Sequence, residues 1–382
     1  MRLGIDASNL RAGGGVTHLI EMLRAANPRA HGFSQVIVWG GKATLDQVED
    51  RPWLEKASQP LLDKGLSHRV FWQRFRLSTL ARMAECELLF VPGGSYAGDF
   101  HPVVTMSRNL LPFDWQEMAR YGLSLMTVKC LLLRWAQTAT FRRADGVIFL
   151  TQHAQQAVTQ VTGSLRGRVS IIPHGIDERF LCAPRSQRAL SDCSSTNPFR
   201  LLYVSIVDAY KHQWNVAEAV SRLRSDGVPV VLDLVGPAYG PALERLQKVL
   251  LRVDPAHDAI RYLGPVPYQE LHRLYGAADA CVFASTCENM PNILLEGMAS
   301  GLPIACSDRK PMPEVLGEAG VYFDPEVVGS IYEALRELLA SPALRTEKAR
   351  TAFDRVADYS WEKCADRTFR FLAKVVVASP PH

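Results

Sequence analysis

The sequence predicts an α/β protein built from two doubly wound, Rossmann-like domains, and three observations predict it. Short apolar runs alternate with longer stretches of helical period from end to end, the pattern of parallel strands joined by crossover helices. The 382 residues exceed what one hydrophobic core usually organises, and a prior of about 150 residues per domain suggests two or three. One polar, Ser-rich stretch without periodicity, "CAPRSQRALSDCSSTNP" (Cys182 to Pro198), divides the alternating pattern into two series.

The first series opens with "RLGIDA" and a helical stretch from Val16 to Ala26. It continues through "QVIVWG" with a helix from Thr44 onward, "LLFVPG", "GVIFLT" with Gln152 to Val161, and "VSIIPHG". The second opens with "RLLYVSIV" and runs through "PVVLDLVG", "AIRYLG", "ACVFAS" and "LPIACS", each followed by a helical stretch. The expected bounds are a first domain over 1–183, a linker over 184–198, a second domain over 199–358 and a terminal helix over 359–382. That terminal stretch, "YSWEKCADRTFRFLAKVVV", places Trp361, Cys364, Phe369, Phe371 and Leu372 at helical spacing, with no strand after it.

Composition excludes several classes. With 47% hydrophobic and 21% charged residues the chain can bury sizeable cores and should be ordered almost throughout. A net charge of +4 is too mild for a nucleic-acid binder. The eight cysteines include no Cys-x-x-Cys pair and no grouping with His at metal-ligand spacing, so reduced thiols and no metal site are expected. The N-terminus shows no charged-then-apolar signal pattern, and the longest apolar candidate, Leu123 to Trp135, is broken by Lys129 and Arg134. A cytoplasmic protein is expected, at most peripheral on the inner face of a membrane. Two basic-aromatic segments, Arg69 to Glu85 and Leu131 to Asp145, fit either docking on an anionic lipid surface or core packing with a solvated basic face.

Three turns carry chemistry. Gly13, Gly14 and Gly15 follow the first strand and precede a helix, where they let backbone approach a ligand and leave helix N–H groups for an anion. The spacing is neither G-x-G-x-x-G nor a P-loop, and a plain strand-to-helix turn reads the same way. Lys211 occupies the matching turn of the second domain, just before a helix opening near Gln213. There a point charge can meet phosphate oxygens, although a surface lysine is the plainer reading.

The third turn is "CENMPNILLEGMASGLPIACSD". Cys287 to Met290 is expected as loop, with Pro291 opening a helix from Asn292 to Ser300. Glu288 then lies before the helix and Glu296 inside it, roughly 7 to 8 Å along the axis at about 1.5 Å per residue. A ligand with its phosphates on the helix N-terminus could present one hydroxylated group to each acid. A nucleotide sugar has that layout: hexose, diphosphate, ribose. Glu296 sits in an apolar helix and needs a partner if buried, and a ribose diol is one.

Together, Glu288-x7-Glu296, "MPEVLGEAGVYFDP", "IPHGID", the triple glycine and "RYLGPVPYQELHRLYGAADACVFAS" resemble family 4 of the retaining glycosyltransferases over nearly the whole chain. The resemblance implies the GT-B fold, in which two Rossmann-like domains face a central cleft and the C-terminal helix crosses back to the first. It implies metal-independent transfer from a UDP- or GDP-sugar, without a cofactor, to a glycan or lipid-linked acceptor, and a place in surface polysaccharide synthesis. By position it puts Glu288 at the sugar hydroxyls, Glu296 on the ribose and Lys211 on the diphosphate, with Gly14 and Gly15 approaching from the other domain. Asn289, Met290, Pro291, Asn292 and Ile293 would line the donor, and backbone at Leu263 and Gly264 would select it.

Two departures stand out. Ser205-Ile206 replaces a Gly-Arg pair, and "TMSRNLLPFD" offers Arg108 and Asn109 where the family often has a histidine. His101 and His174 are expected as structural histidines. Two other readings remain: a donor-binding subunit without activity, or an epimerase or phosphorylase on the same fold. Retention of both glutamates argues against the first, and no pyridoxal signature surrounds Lys211 for the last.

Overall fold

The structure is a computed structural model that describes residues 1–11 and 13–378. The last residues of the expected terminal segment, 379–382, lie outside the described residues. The chain divides into two compact units. Unit 1 holds Met1–Met118, Gly122–Gly175 and the stretch from Ser360 on, and unit 2 holds Ala119–Tyr121 and Ile176–Tyr359.

Unit 1 is built on a seven-stranded parallel sheet. Its strands are β1 (Arg2–Asp6), β2 (Gln35–Gly40), β3 (Leu54–Ser58), β4 (Leu88–Val91), β5 (Val103–Met106), β6 (Gly146–Phe149) and β7 (Arg168–Ile171), in the order β3-β2-β1-β4-β5-β6-β7. All four residues of β4, β5 and β6 are buried, as expected for central strands covered by helices on both faces. The C-terminal helix Trp361–Ala378 packs on the helix Gly14–Ala25 of this unit. Phe369 meets Phe33 edge to face at 6.0 Å between ring centres, and Phe371 and Val375 lie over Gly146. The terminal helix thus completes the first unit's core, as the family resemblance implies.

Unit 2 carries a six-stranded parallel sheet: β8 (Phe199–Val204), β9 (Val230–Val235), β10 (Ile260–Gly264), β11 (Ala280–Phe283), β12 (Ile304–Ser307) and β13 (Gly320–Phe323), in the order β10-β9-β8-β11-β12-β13. Residues 184–198 belong to this unit. They are fastened to it by Arg188, which donates to Asp279 at 2.6 Å, and by Arg185, which donates to the Gly276 carbonyl at 2.9 Å.

Both strand orders reverse direction beside their first strand, and ligands of doubly wound sheets bind at such switch points, outside the carboxyl ends of the strands. In unit 2 the reversal separates β8 from β11. Their ladder covers only Ala280–Leu201 and Cys281–Leu202, whereas β8 stays paired with β9 through Val204–Val235. The carboxyl ends of β8 and β11 therefore part, and a loop from each enters the gap. Among the described residues, no helix is long and apolar enough to cross a membrane.

Candidate active site at the switch point of unit 2

The loop after β8 delivers Lys211. Its backbone is held from two sides: the Tyr203 hydroxyl donates to the Lys211 carbonyl at 2.6 Å, and Thr286 N–H donates to the Tyr210 carbonyl at 2.9 Å. The helix Gln213–Ser225 then starts after His212, which takes a left-handed conformation (φ 49°). Within the same loop, the Gln213 side-chain amide donates to the Ile206 carbonyl at 2.8 Å. A close approach shapes the neighbouring strand end. Gly236, after β9, has φ 141°, and a Cβ there would sit 2.1 Å from the Ser205 carbonyl oxygen. Only glycine fits that backbone.

The loop after β11 delivers Glu288. Lys211 Nζ and Glu288 Oε1 form an ion pair, with side chains 4% and 14% exposed. The ammonium also lies 5.1 Å from the ring centres of both Tyr210 and Phe283, where the ring faces favour a cation. A charge pair this deep is held by mutual attraction and by the rings, and removing either partner strands the other.

The helix Asn292–Ala299 begins one residue after Pro291, whose carbonyl accepts from Leu294 N–H at 3.0 Å and Leu295 N–H at 3.3 Å. Asn289, Met290 and Pro291 are buried, and Asn292 and Ile293 half-buried. Glu296 is buried in this helix, and the Tyr275 hydroxyl donates to its Oε2 at 3.0 Å. Burial pushes the Glu296 carboxyl up to about 8; the Tyr275 hydrogen bond and the positive charge of Arg179 oppose that rise. Tyr275, on the helix Tyr268–Ala277, is the protein partner that the sequence reading did not find. Leu263 and Gly264 end β10; Leu263 is exposed, and Gly264 has φ 73° with its carbonyl accepting from Gly236 N–H at 2.9 Å.

Unit 1 gathers a second cluster. Arg108, half-buried, donates through Nη2 to the Gly14 carbonyl at 2.7 Å, and a Cβ on Gly15 would lie 3.8 Å from the Arg108 Cζ. Burial pushes the Arg108 guanidinium down to about 10, and its Nη1 is buried without a hydrogen-bond partner among the described residues. The side-chain oxygen of Asn109 accepts from Leu111 N–H at 3.0 Å and so caps the following turn.

His174 does not stand alone. Its Nδ1 lies 2.7 Å from Nδ1 of His18, and both rings pack near Trp361. Burial holds both imidazoles well below their usual value, so the pair is neutral and one ring donates to the other. His18 went unnoticed in the sequence because its spacing within an apolar helix marks it only as core. His101 is bound to Asp145 through Nδ1 and Oδ2 at 2.6 Å.

Residues 198–341 match the family described as glycosyl transferases group 1. The chain is 36% identical over 109 residues to the O-antigen chain mannosyltransferase B of Escherichia coli, a match that spans 28% of this chain and 29% of that protein. Among solved structures, sucrose-phosphate synthase from Thermosynechococcus elongatus superposes over 99% of this chain and all of its own, with a TM-score of 0.76 at 18% identity. HepE of Anabaena, solved in complex with UDP and glucose, covers 98% of this chain and all of its own with a TM-score of 0.70 at 16% identity. Residues 198–341, within the unit that holds Lys211, Glu288 and Glu296, thus match the group 1 glycosyl transferases, and the two doubly wound units with a terminal helix on the first have the GT-B fold.

Proposed function

We propose that the chain transfers a hexose, with retention of anomeric configuration, from a UDP- or GDP-sugar to a lipid-linked or polysaccharide acceptor in the synthesis of a surface glycan. The observation that carries this reading is the Lys211–Glu288 pair at the parted ends of β8 and β11. A donor diphosphate competes for the Lys211 ammonium and frees the Glu288 carboxylate to accept from sugar hydroxyls. Each group then meets the part of the donor that suits its charge. The bond from the anomeric carbon to the diphosphate breaks as the bond to the acceptor oxygen forms, negative charge grows on the departing phosphate, and the acceptor hydroxyl's proton passes to that phosphate. Lys211 and the backbone N–H groups opening the helix Asn292–Ala299 supply positive potential there, so the reaction needs no metal.

Glu296, with Tyr275 fixing one oxygen, takes the ribose diol on the other, and backbone at Leu263 and Gly264 borders the base. Within unit 1, Gly14, Gly15 and Arg108 offer exposed backbone and an unpaired guanidinium nitrogen for an anionic group. HepE, solved with UDP and glucose, supports a uridine donor; the mannosyltransferase likeness keeps mannose donors in the comparison. The test is a thermal-shift panel of UDP- and GDP-sugars followed by transfer assays with the best binder. A ligand at about 100 times its Kd adds about 2.7 kcal/mol, which reads as a Tm rise of several degrees. A panel in which no nucleotide sugar moves Tm and none is consumed overturns the reading.

A further inference from the structure

Two helical stretches of unit 1 carry a row of apolar residues on their exposed side. The helix Leu125–Arg143 buries Cys130, Gln137, Thr140 and Phe141, yet exposes Leu125, Val128, Leu131, Leu132 and Trp135. These exposed positions recur every three or four residues, so they form one apolar stripe facing away from the core. The helical stretch from Leu66 to Met83 repeats the arrangement. A π-type turn over Gln73–Leu77 interrupts it and brings Gln73 inward, where its side-chain nitrogen donates to Asp6 at 2.5 Å and to the Ser95 carbonyl at 3.0 Å. Trp72, Leu77, Ser78 and Ala81 are also buried, while Leu66, Val70, Phe71, Phe75 and Met83 are exposed.

One loop lies between the two. Tyr96 contacts Ser78 of the first helix through its hydroxyl at 3.4 Å, and its N–H donates to Thr140 of the second at 2.9 Å. The two helical stretches therefore flank a common loop. Trp115, also exposed, extends the second stripe and lies 4.3 Å below the Arg134 guanidinium.

The charges are as one-sided as the apolar residues. Residues 66–83 contain Arg69, Arg74, Arg76 and Arg82, and residues 125–143 contain Lys129, Arg134, Arg142 and Arg143; neither stretch contains an Asp or Glu. Exposed Leu, Phe and Trp interleaved along both helices with Arg and Lys, and with no acid within either, is the signature of a surface that settles into the headgroup region of a bilayer. A protein partner of equal apolar area would place no such demand on the sign of the charges within the two helices.

We propose that this face of unit 1 docks on an anionic lipid bilayer, with Phe71, Phe75, Leu132 and Trp135 entering the headgroup layer and Arg74, Arg76 and Lys129 meeting lipid phosphates. The proposal concerns binding alone and does not depend on the transfer reaction. Flotation of the full chain with neutral phosphatidylcholine vesicles, and with vesicles containing about one-third phosphatidylglycerol, tests it at ~0.1 M and ~1 M salt. Binding to the anionic vesicles at the lower salt should exceed neutral binding at least tenfold, and most of the excess should vanish at the higher. Arg74→Gln with Arg76→Gln should weaken anionic binding about 30-fold, at about 1 kcal/mol per charge. Leu132→Ser with Trp135→Ser should weaken binding to both vesicles at least tenfold. Neither pair of residues bonds to the core, so the variants should keep wild-type Tm, and that measurement certifies their fold. Equal recovery on both vesicle types at both salts overturns the proposal, as does wild-type binding by both variants. A dimer that these substitutions dissociate, in protein that floats with neither vesicle, overturns it in favour of self-association.

Discussion

Tyr275 donates its hydroxyl to Glu296 Oε2 at 3.0 Å, joining two neighbouring helices of unit 2 through a carboxyl that burial raises to about 8. One neutral hydrogen bond does not offset the desolvation of a buried carboxylate, which is why the proton stays on at neutral pH.

This relationship predicts a specific pH dependence of stability. Because the folded value lies above the ordinary carboxyl value of 4.5, the folded state holds the proton more tightly than the unfolded chain does. The contribution is complete below about pH 4.5, declines as pH rises toward about 8, and is flat above. Glu296→Gln keeps an acceptor for Tyr275 and cannot ionise. Its stability relative to wild type should therefore climb between pH 5 and pH 8, by an amount on the order of a few kcal/mol, and its Tm relative to wild type with it. Parallel Tm curves for the two proteins over that window would show that Glu296 is ionised in the fold.

A double substitution tests the Lys211–Glu288 pair. Lys211→Met alone leaves a half-buried carboxylate and Glu288→Gln alone a buried ammonium, each costing roughly 3–5 kcal/mol. Lys211→Met with Glu288→Gln removes both charges, so its loss in denaturant unfolding should fall short of the sum by more than about 1 kcal/mol. Strict additivity would mean that the two charges act independently.

Much of the architecture is legible in the sequence because buried parallel strands read as short apolar runs, and "RLLYVSIV" and "ACVFAS" mark β8 and β11 plainly. Lys211 and Glu288 are each conspicuous in their turns. Their pairing is not, because it spans 77 residues and depends on β8 and β11 being neighbours whose ends part. Tyr275 looks like any aromatic core residue; only the position of its hydroxyl reveals its role. For the helix Leu125–Arg143 the composition permits both a core helix and a surface helix. The choice rests on which side faces inward, and Gln137 and Thr140 face inward.

The proposed transfer is expected to be metal-independent. Lys211 and the N-terminus of the helix Asn292–Ala299 would supply positive potential at the departing diphosphate, and no Asp-x-Asp occurs in the sequence to bridge a cation. Transfer rates after exhaustive EDTA treatment should match untreated enzyme within about twofold, whereas Lys211→Ala should lose on the order of a hundredfold in kcat/KM. Activity that disappears with EDTA and returns with magnesium or manganese would refute this assignment.

The two glutamates should separate in donor kinetics. Glu288, in the loop after β11, pairs with Lys211, and on the proposed reading its carboxylate would meet the reacting sugar, where positive charge develops at the anomeric carbon. Glu288→Gln keeps the shape and removes the charge; kcat should fall on the order of a hundredfold or more with donor KM little changed. Glu296 lies little more than one turn into the helix that opens after Pro291, held by Tyr275, and the proposed ribose contact would be alike in ground and transition states. Glu296→Gln should therefore raise donor KM about tenfold and spare kcat. Wild-type donor KM should fall as Glu296 ionises toward pH 8, and the same variant should lack that fall. Tm measured in parallel separates loss of fold from loss of function. If Glu296→Gln lost kcat while Glu288→Gln changed only KM, the sugar and ribose ends would be exchanged, and the donor would lie in the opposite direction along the Asn292 helix.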